Sequence, residues 1–220
     1  MINFHPDDAL LAAYAADNLP VGMAIAVAIH VEYCPNCARK VRAIEERLAM
    51  DAFIADKSFG MEENYDDMLS FILSQPMDAP VKHSVDEVPS TLLVKNRNFT
   101  LPRALRHIAR QNWRYLGDVG RTRLTLPDEI AGRASLFFLS PGASVPKHTH
   151  EGMEIMLPIG GTFRDELGLY RPGDFVVHDN QLAHQPVTEE GCLCFALLDA
   201  PVRFTQGLPK LLNSFGDLLY

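Results

Sequence analysis

Three potential metal ligands stand within seven residues in the stretch Gly142-Ala-Ser-Val-Pro-Lys-His148-Thr-His150-Glu-Gly-Met-Glu154. Side chains of a strand alternate between its two faces, so His148 and His150 share one face. Glu154 can rejoin that face after a turn at Glu151-Gly152. Because the set offers nitrogen and oxygen but no sulfur, it suits zinc, iron, manganese or nickel. The stretch therefore predicts a divalent-metal site on a β-hairpin.

The chain on either side of this stretch alternates short apolar runs with turn residues. Seven such runs predict strands at residues 92–94, 113–116, 121–126, 134–139, 154–157, 175–178 and 192–198. Many short strands are typical of a sandwich or barrel. The turn Pro172-Gly173-Asp174 precedes His178 and His184, either of which offers a fourth ligand to the predicted site.

Residues 6–74 have helical periodicity instead. Pro6-Asp7-Asp8 is typical of a first helical turn, because acidic side chains favour the positive end of the helix dipole. Pro20 ends this helix, and a second and a third helix meet near Pro35. A fourth helical pattern, residues 68–73, either closes the module or forms a separate arm.

A second ligand pattern lies where the second and third helices meet, in His30-Val-Glu-Tyr-Cys34-Pro-Asn-Cys37. His30 and Cys34 are four residues apart and share a helix face, while Pro35 lets the chain turn so that Cys37 faces the same point. His5 is the other histidine of the first 80 residues and is the expected fourth ligand. Two histidines and two thiolates suit tetrahedral zinc.

Two other interpretations of this pattern stay open. The cysteines could be a pair of buried thiols beside an unrelated histidine. A Cys-x2-Cys pair can also be a thioredoxin-type redox motif, but that motif needs a βαβ context, which the helical pattern lacks.

Cys192 and Cys194 form a second close pair. They share a face of the last strong strand, where two residues span about 6.6 Å, near the upper limit for an unstrained disulfide. Two buried thiols or a redox switch are both compatible with this spacing.

Composition and charge restrict the class of protein. The 220 residues carry a net charge of -8 and allow one or two domains. Residues 1–85 carry 13 acidic and 6 basic residues, whereas residues 86–127 carry 3 and 8. An acidic module repels nucleic acid and attracts a basic protein, although solubility alone also explains acidity. A DNA-binding repressor would need a basic recognition helix, and only residues 101–123 are basic.

The acidic start and the lack of a long apolar run predict a cytoplasmic protein that does not enter membranes. The proline-rich sequence of residues 75–90 predicts a linker. We expect an α+β multidomain chain with a helical domain at 1–85, a linker and connecting segment at 86–110, and a barrel at 111–200. A basic helix is expected at 101–110, and the tail 201–220, amphipathic from residue 208, is expected to pack on the barrel.

The first 85 residues resemble the zinc-binding anti-sigma domain of bacterial regulators of extracytoplasmic-function sigma factors. The resemblance rests on the His-x3-Cys-x2-Cys pattern with an upstream histidine. It implies a small helical bundle that uses His5, His30, Cys34 and Cys37 to hold one zinc and denies the sigma factor to RNA polymerase and promoter.

The pattern from Gly142 to Gly161, followed by Pro172-Gly173-Asp174, resembles the two motifs of the cupin superfamily. It implies a small antiparallel β-barrel with one metal ion, zinc or another divalent transition metal. The implied ligands are His148, His150, Glu154 and, by its offset from the turn, His184 rather than His178.

The order of the two modules resembles the ChrR type of anti-sigma factor. The resemblance implies a non-enzymatic regulator that binds one group IV sigma factor, without contacting nucleic acid itself, and releases it under oxidative stress such as singlet oxygen or organic hydroperoxide. The alternative is a metal-dependent cupin enzyme, an oxygenase or isomerase, with a helical dimerisation module.

Overall fold

The computed structural model describes residues 2–55, 65–76, 90–127, 132–179 and 182–205. Most of the predicted linker, residues 77–89, and the predicted amphipathic tail from residue 208 lie outside the described residues.

Four helices form the N-terminal part, as predicted: α1 (Asp8–Ala15), α2 (Val21–Tyr33), α3 (Pro35–Ala55) and α4 (Tyr65–Ser74). Asp7 caps α1, because its carboxylate accepts a hydrogen bond from the Leu10 N–H at 2.7 Å. Backbone in the extended region at Cys34 ends α2, and α2 and α3 are bent by 118° there. Among the described residues, no single helix is long and apolar enough to cross a membrane, and α2 with α3 meets that test only as a bent pair.

The rest of the described chain contains twelve strands and one short helix, α5 (Arg103–Arg106). The strands are β1 (Thr91–Val94), β2 (Arg97–Thr100), β3 (Arg114–Leu116), β4 (Val119–Arg123), β5 (Arg133–Leu139), β6 (His148–His150), β7 (Glu154–Gly160), β8 (Phe163–Arg164), β9 (Leu169–Tyr170), β10 (Val176–His178), β11 (Cys192–Leu198) and β12 (Val202–Phe204).

Six of these strands form one antiparallel sheet in the order β10-β7-β11-β5-β4-β3. Two-stranded ladders join β1 to β2, β6 to β12 and β8 to β9. Within the described part of the chain this sheet is open and is flanked by the short ladders. The closed barrel that the sequence predicts is therefore not seen among the described residues. The ladder of β12 on β6 places Val202 opposite His150 and Phe204 opposite His148. The start of the predicted tail is therefore paired with the barrel part.

Two features of the connecting segment differ from the sequence prediction. The expected helix at 101–110 is wrong in length, because α5 ends at Arg106 and the Ala109 carbonyl then accepts a hydrogen bond from the Thr125 N–H. Before α5, the predicted strand β1 pairs with β2, which was not predicted, so a hairpin lies in the range expected to connect the domains. Phe99 of this hairpin packs against the ring of Phe138, with 6.0 Å between centroids.

One cluster of buried apolar residues joins the helices to the sheet. Leu11 and Ile29 of the helical part and Phe195 of β11 belong to it, and each is 0 % exposed. A methyl group added to Gly22 of α2 would lie 2.7 Å from a Leu197 side-chain carbon, so α2 lies directly on β11. The domain boundaries stay a prediction, but the two parts share a core.

Candidate metal centres

The N-terminal cluster consists of the four residues that the sequence predicts as zinc ligands, His5, His30, Cys34 and Cys37. Their nitrogen and sulfur atoms all lie within 4.8 Å of one another. His5 Nδ1 is 3.3 Å from His30 Nε2 and 3.5 Å from each sulfur. A tetrahedral zinc with bonds of about 2.0–2.3 Å needs ligand separations of about 3.3–3.8 Å. The donor set and its spacing therefore fit zinc.

The hydrogen bond on the far side of His30 fixes how this ring can bind a metal. Nδ1 of His30 lies 2.7 Å from the Gly173 carbonyl oxygen, which can only accept, so the ring proton is on Nδ1. The lone pair of Nε2 then faces His5. Burial lowers the pKa of His30, which favours the neutral ring that metals require.

Cys37 needs a nearby cation to ionise at neutral pH. Burial, with the neighbouring Cys34 sulfur, raises the pKa of the Cys37 thiol to about 11. A metal-free cluster is therefore protonated at Cys37 at neutral pH, and binding of zinc must displace that proton.

The cupin cluster consists of His148, His150, Glu154 and His184, the second predicted ligand set. Their ligand atoms also lie within 4.8 Å of one another, and each residue is at most 4 % exposed. Nε2 of His184 is 3.0 Å from Nε2 of both other histidines, and Glu154 Oε2 is 3.3 Å from Nε2 of His150. β6 supplies two ligands and the start of β7 supplies the third, as the alternation of side chains predicts.

Two of these rings present lone pairs to each other. Nδ1 of His148 lies 2.9 Å from the Pro146 carbonyl oxygen, and Nδ1 of His184 lies 3.1 Å from Oδ2 of Asp165. Both acceptors place the proton of a neutral ring on Nδ1, which leaves the Nε2 lone pair available to a metal. This arrangement suits a shared cation.

The buried carboxylate of the cupin cluster is ionised. Burial alone would raise the pKa of Glu154, but its contact with His178 and the three imidazoles lowers the pKa to about 2. Glu154 Oε2 and His150 Nδ1 are buried without a hydrogen-bond partner. Burial lowers the pKa of His148 to about 4. A buried carboxylate that faces three imidazole nitrogens, with an oxygen that lacks a hydrogen-bond partner, fits a divalent ion.

Comparison with known proteins identifies the family. Residues 102–200 match the family described as the ChrR Cupin-like domain. The anti-sigma-E factor ChrR of Cereibacter sphaeroides is 32% identical over 219 residues, which are 97% of this chain and 98% of that protein.

The chain belongs to the ChrR family of anti-sigma factors. Its structure also matches a chain of the crystal structure of Rhodobacter sphaeroides SigE in complex with the anti-sigma ChrR. The TM-score is 0.64 at 28% identity, over 90% of this chain and 100% of that chain. Its fold is thus cupin-like, with N-terminal helices and a C-terminal antiparallel sheet.

In this ChrR-family chain, Asp165 orients the histidines around the cupin cluster. Its Oδ2 lies 2.9 Å from Nε2 of His178 and 3.1 Å from Nδ1 of His184, and its Oδ1 accepts a hydrogen bond from the Tyr170 hydroxyl at 2.9 Å. Burial would lower the pKa of His178, but Asp165 and Glu154 together raise it to about 9. His178 is therefore a cation between two carboxylates.

Sequence reasoning missed Asp165, which lies in the turn between β8 and β9. Its Oδ1 also accepts hydrogen bonds from the N–H groups of Leu167 and Gly168, so the Asp-x-x-Gly spacing could have predicted the turn. The direction of Oδ2 depends on how the turn packs, and no local sequence pattern predicts that packing. Asp165, His178 and His184 form a further group with metal-ligating atoms.

A small apolar cavity of about 50 Å³ adjoins His148 and Glu154. The other lining residues are apolar: Val119, Phe137, Leu139, Val145, Met156, Phe163, Pro186, Leu198, Val202 and Phe204. A cavity of this size holds a few waters or a very small molecule.

The predicted redox pair lies on β11, between β7 and β5 in the six-stranded sheet. Cys192 and Cys194 are both free and 0 % exposed, with 3.8 Å between their sulfurs. Burial, together with Cys192, raises the pKa of Cys194 well above its usual range. Both thiols are thus shielded from solvent, and a redox role for them stays a prediction.

Proposed function

We propose that this protein is an anti-sigma factor that binds one extracytoplasmic-function (group IV) sigma factor and withholds it from RNA polymerase and promoter. The observation that carries the proposal is its likeness, over 90% of the chain, to a chain of the SigE complex with the anti-sigma ChrR. The 32% identity to the anti-sigma-E factor ChrR over 97% of the chain supports it. We propose a cytoplasmic location, where such a partner acts.

Exposed apolar side chains on two helices offer contacts for the partner. We call them together the α3–α4 surface, and each of its residues is at least 38% exposed: Leu48, Met50, Phe53, Ile54, Tyr65, Met68, Leu69, Phe71, Ile72 and Leu73. Several exposed apolar side chains along one helix are typical of protein interfaces. Asp66 and Asp67 lie in the first turn of α4, and acidic groups at an interface favour a basic, DNA-binding partner.

Zinc at the N-terminal cluster would stabilise the helical part. The four ligands come from three places: the segment before α1, the end of α2 and the start of α3. One ion would thus fix the angle between α2 and α3. Part of the α3–α4 surface lies on α3. A small helical module gains stability from such a metal.

The cupin cluster would supply the sensor. In this proposal it holds zinc or another divalent transition metal, and oxidative stress, such as singlet oxygen or organic hydroperoxide, changes this site or the thiols of Cys192 and Cys194. The altered state binds the sigma factor less tightly, since a signal shifts binding only if the two states differ in affinity.

The experiment that tests this function is affinity capture of the tagged chain from its own cells, followed by transcription from a sigma-dependent promoter. We expect a sigma subunit in equimolar amount and loss of transcripts when the chain is added. Capture without any sigma subunit, together with consumption of a small substrate by the metal-loaded chain, would favour the cupin-enzyme alternative.

A further inference from the structure

A turn of the cupin part, residues 171–175, contacts the N-terminal cluster directly. The Gly173 carbonyl accepts the hydrogen bond from His30 Nδ1 at 2.7 Å. Gly173 has φ +91°, and a methyl group added to it would lie 2.5 Å from the Tyr33 Cβ. Only glycine therefore lets the turn approach the end of α2 closely enough to reach His30.

Asp174 of the same turn holds the segment that carries His5. This carboxylate is 0 % exposed, and its Oδ1 accepts hydrogen bonds from the N–H groups of Asn3 at 2.7 Å and Phe4 at 3.1 Å. Its Oδ2 accepts one from the Arg171 N–H at 2.7 Å. Hydrogen bonds to a charged acceptor are about twice as strong as neutral ones. The backbone just before His5 is thus fixed to the cupin part.

A further backbone hydrogen bond continues this attachment, because the Phe175 N–H donates to the Phe4 carbonyl at 3.0 Å. The ring of Phe4 also lies 4.9 Å from the ring of Tyr170. These contacts join the two parts of the chain without using the linker between them.

We propose that Asp174 is a positioning residue for the N-terminal zinc site, which the cupin turn completes from outside. Asp174 places His5, and the neighbouring Gly173 carbonyl sets the tautomer and direction of His30. Groups that orient metal ligands in this way tune how firmly the metal is held. The inference rests on the proposed function in one respect, since it takes the N-terminal cluster to hold a metal.

Cobalt substitution of the full chain tests this inference, because thiolate-to-cobalt charge-transfer absorption reports the N-terminal cluster alone. The cupin cluster contributes no sulfur ligand. The measurement is the rate at which an added chelator removes this absorption. Asp174→Asn keeps the size of the side chain but replaces one acceptor oxygen by a donor, and we expect about tenfold faster loss of cobalt.

Asp199→Asn is the matched control, because Asp199 also accepts a backbone hydrogen bond, from the Met153 N–H at 2.6 Å. That hydrogen bond lies beside the start of β7. Its cobalt loss should equal that of the wild type.

Asn3→Pro supplies a second variant that leaves the buried carboxylate in place. It removes one N–H donor to Asp174, so we expect cobalt loss several-fold faster than in the wild type. The double variant should lose cobalt no faster than Asp174→Asn alone, because both changes act on one interaction. Circular dichroism of each variant establishes that it is folded, and if Asp174→Asn is unfolded, Asn3→Pro decides.

Two failures are distinguishable. Wild-type release rates in folded Asp174→Asn and Asn3→Pro would overturn the positioning role while leaving the proposed function intact. A wild-type chain without the thiolate absorption would instead reject the proposed zinc site, and the inference with it.

Discussion

The Nε2 atoms of His148 and His184 lie 3.0 Å apart, while Nδ1 of each ring lies within hydrogen-bond distance of an oxygen on its outer side, so in the neutral rings the two Nε2 lone pairs face each other. Two lone pairs at this distance repel each other unless a cation lies between them. Each ring gives its proton to an oxygen on its outer side, which is the usual arrangement of histidines that bind metals. This pair is the strongest structural indication that the cupin part holds an ion.

Replacing His184 by alanine tests that indication. We expect the purified chain to contain one metal ion fewer, because only two imidazoles and one carboxylate remain to hold the ion. Elemental analysis by mass spectrometry gives the stoichiometry, with His107→Ala as the control, since His107 is exposed and outside both clusters. Equal metal content in the two variants would reject His184 as a ligand.

Asp165→Asn should weaken the cupin site without removing a ligand. The amide holds His178 and His184 less firmly, and we expect about a 10- to 100-fold loss of metal affinity. Competition with a chromophoric chelator measures it. Glu189→Gln is the control, because the side chain of Glu189 is 86% exposed, and a similar affinity in both variants would speak against the orienting role of Asp165.

A charge on the α3–α4 surface should abolish partner binding. Ile72→Asp places a carboxylate on a side chain that is 57% exposed, so the free protein should keep its melting temperature while the affinity for the sigma factor falls at least tenfold. Isothermal titration calorimetry measures the affinity. Leu167→Asp, in a cupin turn with 53% exposure, should bind normally, and loss of binding in that variant too would exclude a specific surface.

Zinc uptake by the N-terminal cluster should release protons. The raised pKa of Cys37, about 11, means that this thiol is protonated at neutral pH in the metal-free chain. Zinc binds the thiolate, so affinity should fall as the pH is lowered. Titration in weak buffer with a pH indicator measures the protons, and Cys37→Ser should release one proton fewer. Uptake without proton release would contradict thiolate ligation.

The two metal sites should be coupled. β10 runs directly from the turn at residues 171–175 to His178, whose Nδ1 lies 3.5 Å from Glu154 Oε2. Loss of the cupin metal in His150→Ala should therefore change the rate of cobalt release from the N-terminal cluster, in the assay described above. An unchanged rate in that variant would show that the signal does not pass between the two metal sites.

Sequence periodicity predicted the locally spaced ligands of both sets, whereas His184 was chosen by the resemblance to the second cupin motif. His148 and His150 follow strand alternation, while His30 and Cys34 follow the helical repeat. His5 was predicted only because other histidines are absent from the first 80 residues. Its place beside His30, 25 residues away, depends on Asp174, which is 170 residues from Phe4.

Sequence reasoning also missed the groups that orient the ligands, because these groups contact residues that are distant in the sequence. Asp165 and Asp174 lie in turns, and turn signals show where the chain reverses but not what a side chain contacts. Of the hairpin, β1 was predicted at residues 92–94, but β2 was missed because only Phe99 of this polar strand is buried, so its alternation is weak. The Lys95-Asn96 turn of the hairpin has φ values of +42° and +64°, which asparagine tolerates but lysine does not favour.

The most direct test is run-off transcription by RNA polymerase with the extracytoplasmic-function sigma factor that the chain captures, titrated with the purified, metal-loaded chain. We expect transcription to fall to background at one chain per sigma factor and to be restored when singlet oxygen or an organic hydroperoxide is supplied. Undiminished transcription at a large excess of the chain would contradict the anti-sigma function.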